Sequence, residues 1–192
     1  EEGKEYPLPI LNMLSTKYLI IPDSLPNGSF LQQIKPVFSN GQLTIYRNMK
    51  AMPRAWFAKT IEVIPQADKL LEKLSDSSFD PAQTALLEAE IQGIVQPDSA
   101  VVKQTKSEMH ELAYELSTSS DALLTLSEVY YPAGWKAFID GKETPILPVN
   151  YILRGVVIPA GSHNLELKML PDSYARSVKL SFIGIEIGRA HV

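Results

Sequence analysis

The sequence predicts a mainly β protein with some helix, an α+β fold whose C-terminal half is an antiparallel β-sandwich and whose N-terminal half mixes strand and helix. From residue 101 onward, short segments of alternating apolar and polar residues are separated by turn-forming residues, a pattern typical of sandwiches. Before that point, one segment repeats its apolar residues at helical spacing instead. A chain of 192 residues, 45% of them hydrophobic, can bury a sizeable core.

The sequence of the N-terminal half predicts short elements joined by turns. Residues 8–14 predict one or two helical turns, and 17–22 predict a buried strand that ends at a proline. Residues 23–40 carry Asn-Gly pairs and prolines, so we expect a surface loop there. Further along, the expected elements are strands at 43–48 and 55–64, a helix at 66–74, and a segment at 84–90 that fits either type.

The helix at 66–74 is the clearest single element. Ala67, Leu70, Leu71 and Leu74 recur at intervals of three and four residues, which places them on one face. Pro65 directly ahead suits a helix start. We therefore expect this helix to pack its apolar face on the core of a mixed subdomain that spans residues 1–98.

The C-terminal half, residues 99–175, predicts the sandwich. Asp140-Gly141 is a strong signal for a two-residue hairpin, and residues 159–162 are expected to close a last hairpin. In its second strand, Leu165 and Leu167 alternate with polar residues, so one face lies on the core and the other meets water. The predicted strands are 101–106, 108–117, 122–130, 135–140, 143–148, 151–158 and 163–170.

Composition excludes several classes of function. The net charge of −4 offers no basic field, so nucleic acid is not an expected partner. The chain has no cysteine, which excludes disulfides, thiolate metal sites and a cysteine nucleophile. His110 has no partner at metal-ligand spacing, and the sequence has no glycine-rich phosphate loop. We expect neither a metal nor a cofactor.

The two ends of the chain indicate a fragment. The start, Glu1 to Glu5, has no initiator methionine and no apolar leader, and reads as the middle of a longer chain. The last six residues, 187–192, match the translation of a common sequencing adapter. We expect this tail to be non-native.

One long block of sequence resembles a known family. It runs from Ser127 to Lys142 and reads Ser-Glu-Val-Tyr-Tyr-Pro-Ala-Gly-Trp-Lys-Ala-Phe-Ile-Asp-Gly-Lys. Together with segments 150–154 and 157–163, and more moderately 11–20, it resembles the soluble region of YfhO-family bacterial membrane proteins. The resemblance extends to about Ile185 and so covers nearly the whole chain.

The resemblance implies a setting for the chain. Members of this family are large multi-pass proteins similar to GT-C glycosyltransferases, which take sugar from a polyprenyl-phosphate donor outside the membrane and act on cell-envelope glycopolymers. The chain would be their extracytoplasmic C-terminal part at the cell membrane, with 176–186 as the start of a truncated membrane helix. Its implied partners are the missing transmembrane region and a glycan or polyprenyl-linked sugar. The catalytic acids of the family lie in the missing part, so no catalytic residue is expected here.

Four residues are candidates for substrate binding. Tyr130, Tyr131 and Trp135 could stack on a sugar ring, although Trp135 also alternates with Ala137 as a core residue would. Arg154 lies in an apolar strand and could form an ion pair with Glu128 or bind a phosphate.

The remaining polar candidates favour structural roles. Glu128 and Asp140 flank the aromatic block as a paired-carboxylate site would, but Asp140 occupies a turn that favours aspartate for backbone reasons. His163 is expected to cap a turn or lie at a strand edge. Three functions stay open: an ancillary domain of a membrane glycosyltransferase, a carbohydrate-binding module, or a structural or partner-docking cap.

Overall fold

The computed structural model of the protein describes residues 8–23 and 34–171. The predicted membrane-helix start at 176–186 and the suspected tail at 187–192 lie outside the described residues. Within the described ranges, no helix has the length and apolar character needed to cross a bilayer.

The described residues form two helices and fourteen strands. The helices are α1 (Leu8–Met13) and α2 (Ala67–Ser75). The strands of the first half are β1 (Tyr18–Pro22), β2 (Ile34–Ser39), β3 (Leu43–Asn48), β4 (Ala55–Phe57), β5 (Thr60–Val63) and β6 (Thr84–Leu87). Those of the second half are β7 (Ala100–Ser107), β8 (Glu111–Thr118), β9 (Ala122–Val129), β10 (Trp135–Ile139), β11 (Lys142–Thr144), β12 (Leu147–Val149), β13 (Leu153–Ile158) and β14 (Gly161–Met169).

Two antiparallel sheets pack face to face and confirm the mainly β fold. One has five strands in the order β11-β10-β14-β8-β7, and the other has four in the order β12-β13-β9-β4. Alternate residues of both sheets share one core because side chains in a strand alternate between its faces. This core includes Leu112, Tyr114, Leu165 and Leu167 from the first sheet and Leu124, Leu126, Val156 and Ile158 from the second.

The four-stranded sheet is covered on both faces. In β9, Leu124 and Leu126 face the five-stranded sheet, whereas Leu123 packs in a second cluster with Ala85 and Leu87 of the N-terminal half. A third cluster joins α1, α2, β4 and β13. All six residues from 122 to 127 are therefore buried. Since β4 belongs to this sheet, the sheet contains strands from both sides of the boundary predicted at residue 98.

Several predicted elements match the structure. The Asp140-Gly141 hairpin is confirmed, because β10 pairs with β11 and both turn residues have positive φ, 49° and 81°. Helix α2 buries Leu70 and Leu74, two of the four residues on its predicted apolar face, whereas Ala67 and Leu71 are exposed. The ambiguous segment at 84–90 contains strand β6, which pairs with β5 in parallel.

Several predictions of local structure are wrong. The segment at 17–22 forms strand β1 but is not buried, since Tyr18 is 56% and Ile20 is 67% exposed. The strand predicted at 143–148 divides into β11 and β12, which lie in different sheets. The last hairpin does not form, because β13 and β14 belong to different sheets and the chain crosses the sandwich at residues 159–160. The strand at 55–64 breaks into β4 and β5, which lie in different sheets. The loop at 23–40 contains β2, an edge strand that tolerates Pro36 beside a register shift.

Candidate functional site

The three aromatic candidates lie together in one cleft at an end of the sandwich. Tyr130, Tyr131 and Trp135 line a cavity of about 180 Å³. The two tyrosines lie where the chain passes from β9 of one sheet to β10 of the other, and Trp135 opens β10. The cleft is completed by Pro132, Lys136, Glu143, Thr144, Pro145 and Ile146.

The backbone of this crossing is held by specific contacts. The amide of Tyr130 donates to the carbonyl of Ile152 at 2.6 Å, and the carbonyl of Gly134 accepts from the amide of Leu170 at 2.6 Å. Gly134 has φ of 115°, and a Cβ there would lie 3.1 Å from Cβ of Pro171. A glycine is therefore needed directly before Trp135, because other residues avoid this conformation and this space.

Arg154 does not line the cleft but contacts one of its walls. Its guanidinium carbon lies 4.1 Å from the ring centroid of Trp135, a cation–π distance. Its Nε donates to the carbonyl of Val129 at 2.9 Å, and the residue is 5% exposed. Arg154 is paired across the sheet with Leu126, so it points between the two sheets and supports the indole there.

Trp135 therefore fills both roles that the sequence left open. It packs against the sandwich core, as its alternation with Ala137 predicts, and it also lines the cleft. Because Arg154 stacks on the ring, the indole is held in place before any ligand binds. Tyr131 is the most open of the three, with 54% of its surface exposed.

The predicted ion pair between Arg154 and Glu128 is wrong. Glu128 instead pairs with Arg54, with 2.6 Å between Oε1 and Nη2. Burial lowers the pKa of the Arg154 guanidinium, and nearby Glu128 opposes this effect. Burial also raises the pKa of the Tyr114 hydroxyl to about 12. Nη1 of Arg154 is buried and has no hydrogen-bond partner among the described residues.

The rim of the cleft carries charge and hydroxyl groups. Nζ of Lys136 lies 3.5 Å from Oε1 of Glu143, and both side chains line the cleft beside Thr144. Aromatic faces bounded by polar groups match a sugar ring, which has an apolar C–H face and hydroxyls at its edge. The cleft is thus chemically suited to one saccharide unit.

No match came from a scan of protein-family models, from the curated proteins or from the solved structures compared with the chain.

The two carboxylates that flank the aromatic block each have a partner of their own. Glu128 pairs with Arg54, and Oδ2 of Asp140 lies 2.6 Å from Nδ1 of His163. Oδ1 of Asp140 also accepts the amide of Asn164 at 2.9 Å. These contacts give Asp140 a turn-anchoring role and make His163 its cap, and neither residue lines the cleft.

Within residues 8–23 and 34–171, no group of three or more histidine or acidic side chains is placed to hold a metal ion.

Reasoning from the sequence missed the second wall of the cleft. Lys136, Glu143 and Thr144 were not singled out, although a signal for them exists. The Asp140-Gly141 turn pairs Ala137 with Thr144 across the hairpin, so recognising the turn places residues 143–145 beside Trp135 and Lys136.

Proposed function

We propose that this chain is a non-catalytic ancillary domain that binds a glycan in the cleft formed by Tyr130, Tyr131 and Trp135. The observation that carries the proposal is the meeting of these three rings in one cleft with a charged rim. Stacking on aromatic rings provides affinity for a sugar face, and the rim groups provide hydrogen bonds to its hydroxyls.

The wider setting of the proposal comes from the resemblance of Ser127 to Lys142 to YfhO-family proteins. In that setting the domain stands on the extracytoplasmic side of the cell membrane, as part of a multi-pass glycosyltransferase-like protein. It would hold a unit of an envelope glycopolymer or the sugar of a polyprenyl-linked donor near the transmembrane region.

The support beneath Trp135 favours binding over mere packing. A ring that is already fixed by Arg154 at 4.1 Å loses little freedom when a ligand stacks on it. Tyr131 contributes little to the core because it is more than half exposed. Its exposed ring is therefore free to contact a ligand at small cost in stability.

A glycan array followed by titration calorimetry tests the proposal on the 192-residue chain. Tyr131→Ala should weaken the binding of a glycan selected on the array by roughly fivefold, which corresponds to an aromatic contact of about 1 kcal/mol. Tyr18→Ala is the matched control, because Tyr18 is 56% exposed and lies in β1, away from the cleft. Its affinity should match that of the unmodified chain.

Two outcomes would overturn the proposal. One is the absence of any bound glycan on a chain with a normal melting transition, which would leave the structural or docking cap as the function. The other is equal loss of binding in Tyr131→Ala and Tyr18→Ala. Trp135→Ala adds a further distinction, because loss of folding indicates a core role and loss of binding at an unchanged melting temperature indicates a platform.

A further inference from the structure

Among the described residues, a small sheet near the N-terminus has one face that packs on a cluster and one that carries exposed side chains. Strands β1, β3 and β2 form a three-stranded antiparallel sheet in that order. The inner face packs through Leu19, Ile21 and Tyr46 on the cluster that contains Leu8 and Ile34. The opposite face, which we call the outer face, has Tyr18 and Ile20 on β1, Ile45 and Arg47 on β3, and Lys35 and Phe38 on β2.

The register arranges these side chains in two rows across the sheet. Ile20, Ile45 and Phe38 are directly paired and form an apolar row. Ile20 is 67% exposed and Phe38 is 54% exposed. Ile45 between them is partly exposed, so the row is a continuous apolar strip, the kind of feature from which an interaction surface is built.

The second row is basic with an aromatic end. Tyr18, Arg47 and Lys35 are directly paired, and all three are exposed. The sheet thus has cations along one side of its apolar row and a tyrosine at the corner.

Charge along the chain is strongly uneven around this sheet. Between residues 6 and 61 the only acidic residue is Asp23, although the whole chain has a net charge of −4. Asp23 lies at the end of β1 and accepts a hydrogen bond from Thr44 at 2.6 Å. The basic residues of this segment are Lys17, Lys35, Arg47, Lys50, Arg54 and Lys59.

We propose that the outer face of this sheet docks on the surface of an anionic lipid bilayer. Ile20 and Phe38 would enter the boundary between headgroups and acyl chains, where apolar burial drives binding. Lys35 and Arg47 would lie at the level of anionic headgroups, and Tyr18 would lie at the interface, where tyrosine is enriched.

Charge complementarity favours lipid over a second copy of the chain. Two outer faces brought together would bring Lys35 and Arg47 near their own copies with no acidic residue on the face to offset them. An anionic bilayer supplies the opposite charge over the whole face. This surface is separate from the aromatic cleft, so the inference goes beyond glycan binding.

Co-sedimentation of the 192-residue chain with vesicles tests this inference. We expect binding to vesicles of mixed phosphatidylglycerol and phosphatidylcholine, weaker binding at high salt, and little binding to phosphatidylcholine alone. The double variant Lys35→Gln with Arg47→Gln should lower partitioning by about fivefold for each charge removed. The double variant Ile20→Ser with Phe38→Ser should also lose binding.

Matched controls lie elsewhere on the surface. Lys69→Gln with Lys142→Gln removes two exposed cations, and Val101→Ser with Met109→Ser removes two exposed apolar side chains. Both should bind vesicles like the unmodified chain. The melting temperature of each variant identifies any that misfolds. If Ile20→Ser with Phe38→Ser misfolds, Lys35→Gln with Arg47→Gln still tests the inference.

Three results would overturn the inference: no binding to anionic vesicles, equal effects of the face and control variants, or a dimer in light scattering that the Ile20 and Phe38 changes abolish. The last would identify a second copy as the occupant. Tyr131→Ala should bind vesicles normally, so failure of membrane docking and failure of glycan binding are distinguishable.

Discussion

Asn150 forms two hydrogen bonds with the backbone of Leu86, a residue 64 positions earlier in the chain. Its side-chain Oδ1 accepts a hydrogen bond from the backbone amide of Leu86 at 2.7 Å. Its backbone amide donates to the carbonyl of Leu86 at 2.9 Å. Asn150 is fully buried and has φ of 48°, a conformation that asparagine tolerates better than most residues. This contact joins β6 of the N-terminal half to the sandwich.

Replacing Asn150 should destabilise the protein. Asn150→Ala leaves the buried amide of Leu86 without its acceptor and places alanine at a positive φ. We expect a loss of about 2–3 kcal/mol in the free energy of unfolding, measured by urea denaturation. Asn40→Ala is the control. The side chain of Asn40 also accepts hydrogen bonds from backbone amides, but it does so in an exposed turn. Losses of equal size would contradict the prediction.

The buried guanidinium of Arg154, which stacks on Trp135, should contribute more to stability than the half-exposed guanidinium of Arg54. Arg154→Ala removes the stacking contact, the bond to Val129 and much buried side-chain volume, so we expect a loss of about 2–3 kcal/mol in stability. Arg54→Ala breaks an ion pair at a half-exposed side chain and should cost less than about 1 kcal/mol. Thermal denaturation of both variants measures the difference.

Arg154→Ala also tests whether Arg154 aids glycan binding by supporting Trp135 and not by contacting the ligand. Arg154 does not line the cleft, yet its loss frees the Trp135 ring that does. We therefore expect Arg154→Ala to weaken glycan affinity while Arg54→Ala leaves it unchanged. Unchanged affinity in a folded Arg154→Ala protein would show that the indole needs no such support.

The Asp140–His163 contact should make stability depend on pH. The hydrogen bond to Asp140 raises the pKa of His163, so its contribution is complete below the ordinary histidine value and is lost as pH rises through the raised value. The amide of Asn164, and then His163, lower the pKa of Asp140. Its contribution is present above the ordinary aspartate value and is lost as pH falls through the lowered value.

The contact should therefore stabilise the fold most between the ordinary values of 3.8 for aspartate and 6.5 for histidine. The free energy of unfolding of the unmodified protein should fall as the pH rises from the ordinary histidine value through the raised pKa of His163, and this fall should be smaller in His163→Gln. His110→Gln, at a surface histidine outside the hairpin, is the control. Parallel pH profiles for the unmodified chain and His163→Gln would refute the prediction.

Substituting Gly134 should destabilise the protein more than substituting Gly41, which also has a positive φ. Gly134 and Gly41 both have positive φ, but a Cβ at Gly134 meets Pro171 and the sulfur of Met169 at 3.1 and 3.2 Å, whereas one at Gly41 meets nothing within 4 Å. We expect Gly134→Ala to lose about 1–2 kcal/mol more stability than Gly41→Ala. Chemical denaturation of both variants checks this, and equal losses would mean that Pro171 yields without cost.

Much of the local structure could be read from neighbouring residues. The alternation of Leu165 and Leu167 with polar residues predicts the core face of β14, and both are fully buried. The same holds for Leu70 and Leu74 in α2. The aromatic block that contains Tyr130 and Trp135 marked one wall of the cleft. These features are local because strand and helix periods and turn preferences act over a few residues.

Sheet membership and side-chain partners depended on contacts that the sequence does not display. A tight connection after Ile158 looks like a hairpin, but β14 pairs with β8 and β10 rather than with β13. Glu128 pairs with Arg54 and not with Arg154. The sequence by itself therefore determined the mainly β class, the core face of β14, the clearest helix and one hairpin. Only the tertiary structure decided which strands join, how Arg154 supports Trp135 and where the cleft closes, because these features rest on interactions between residues far apart in the chain.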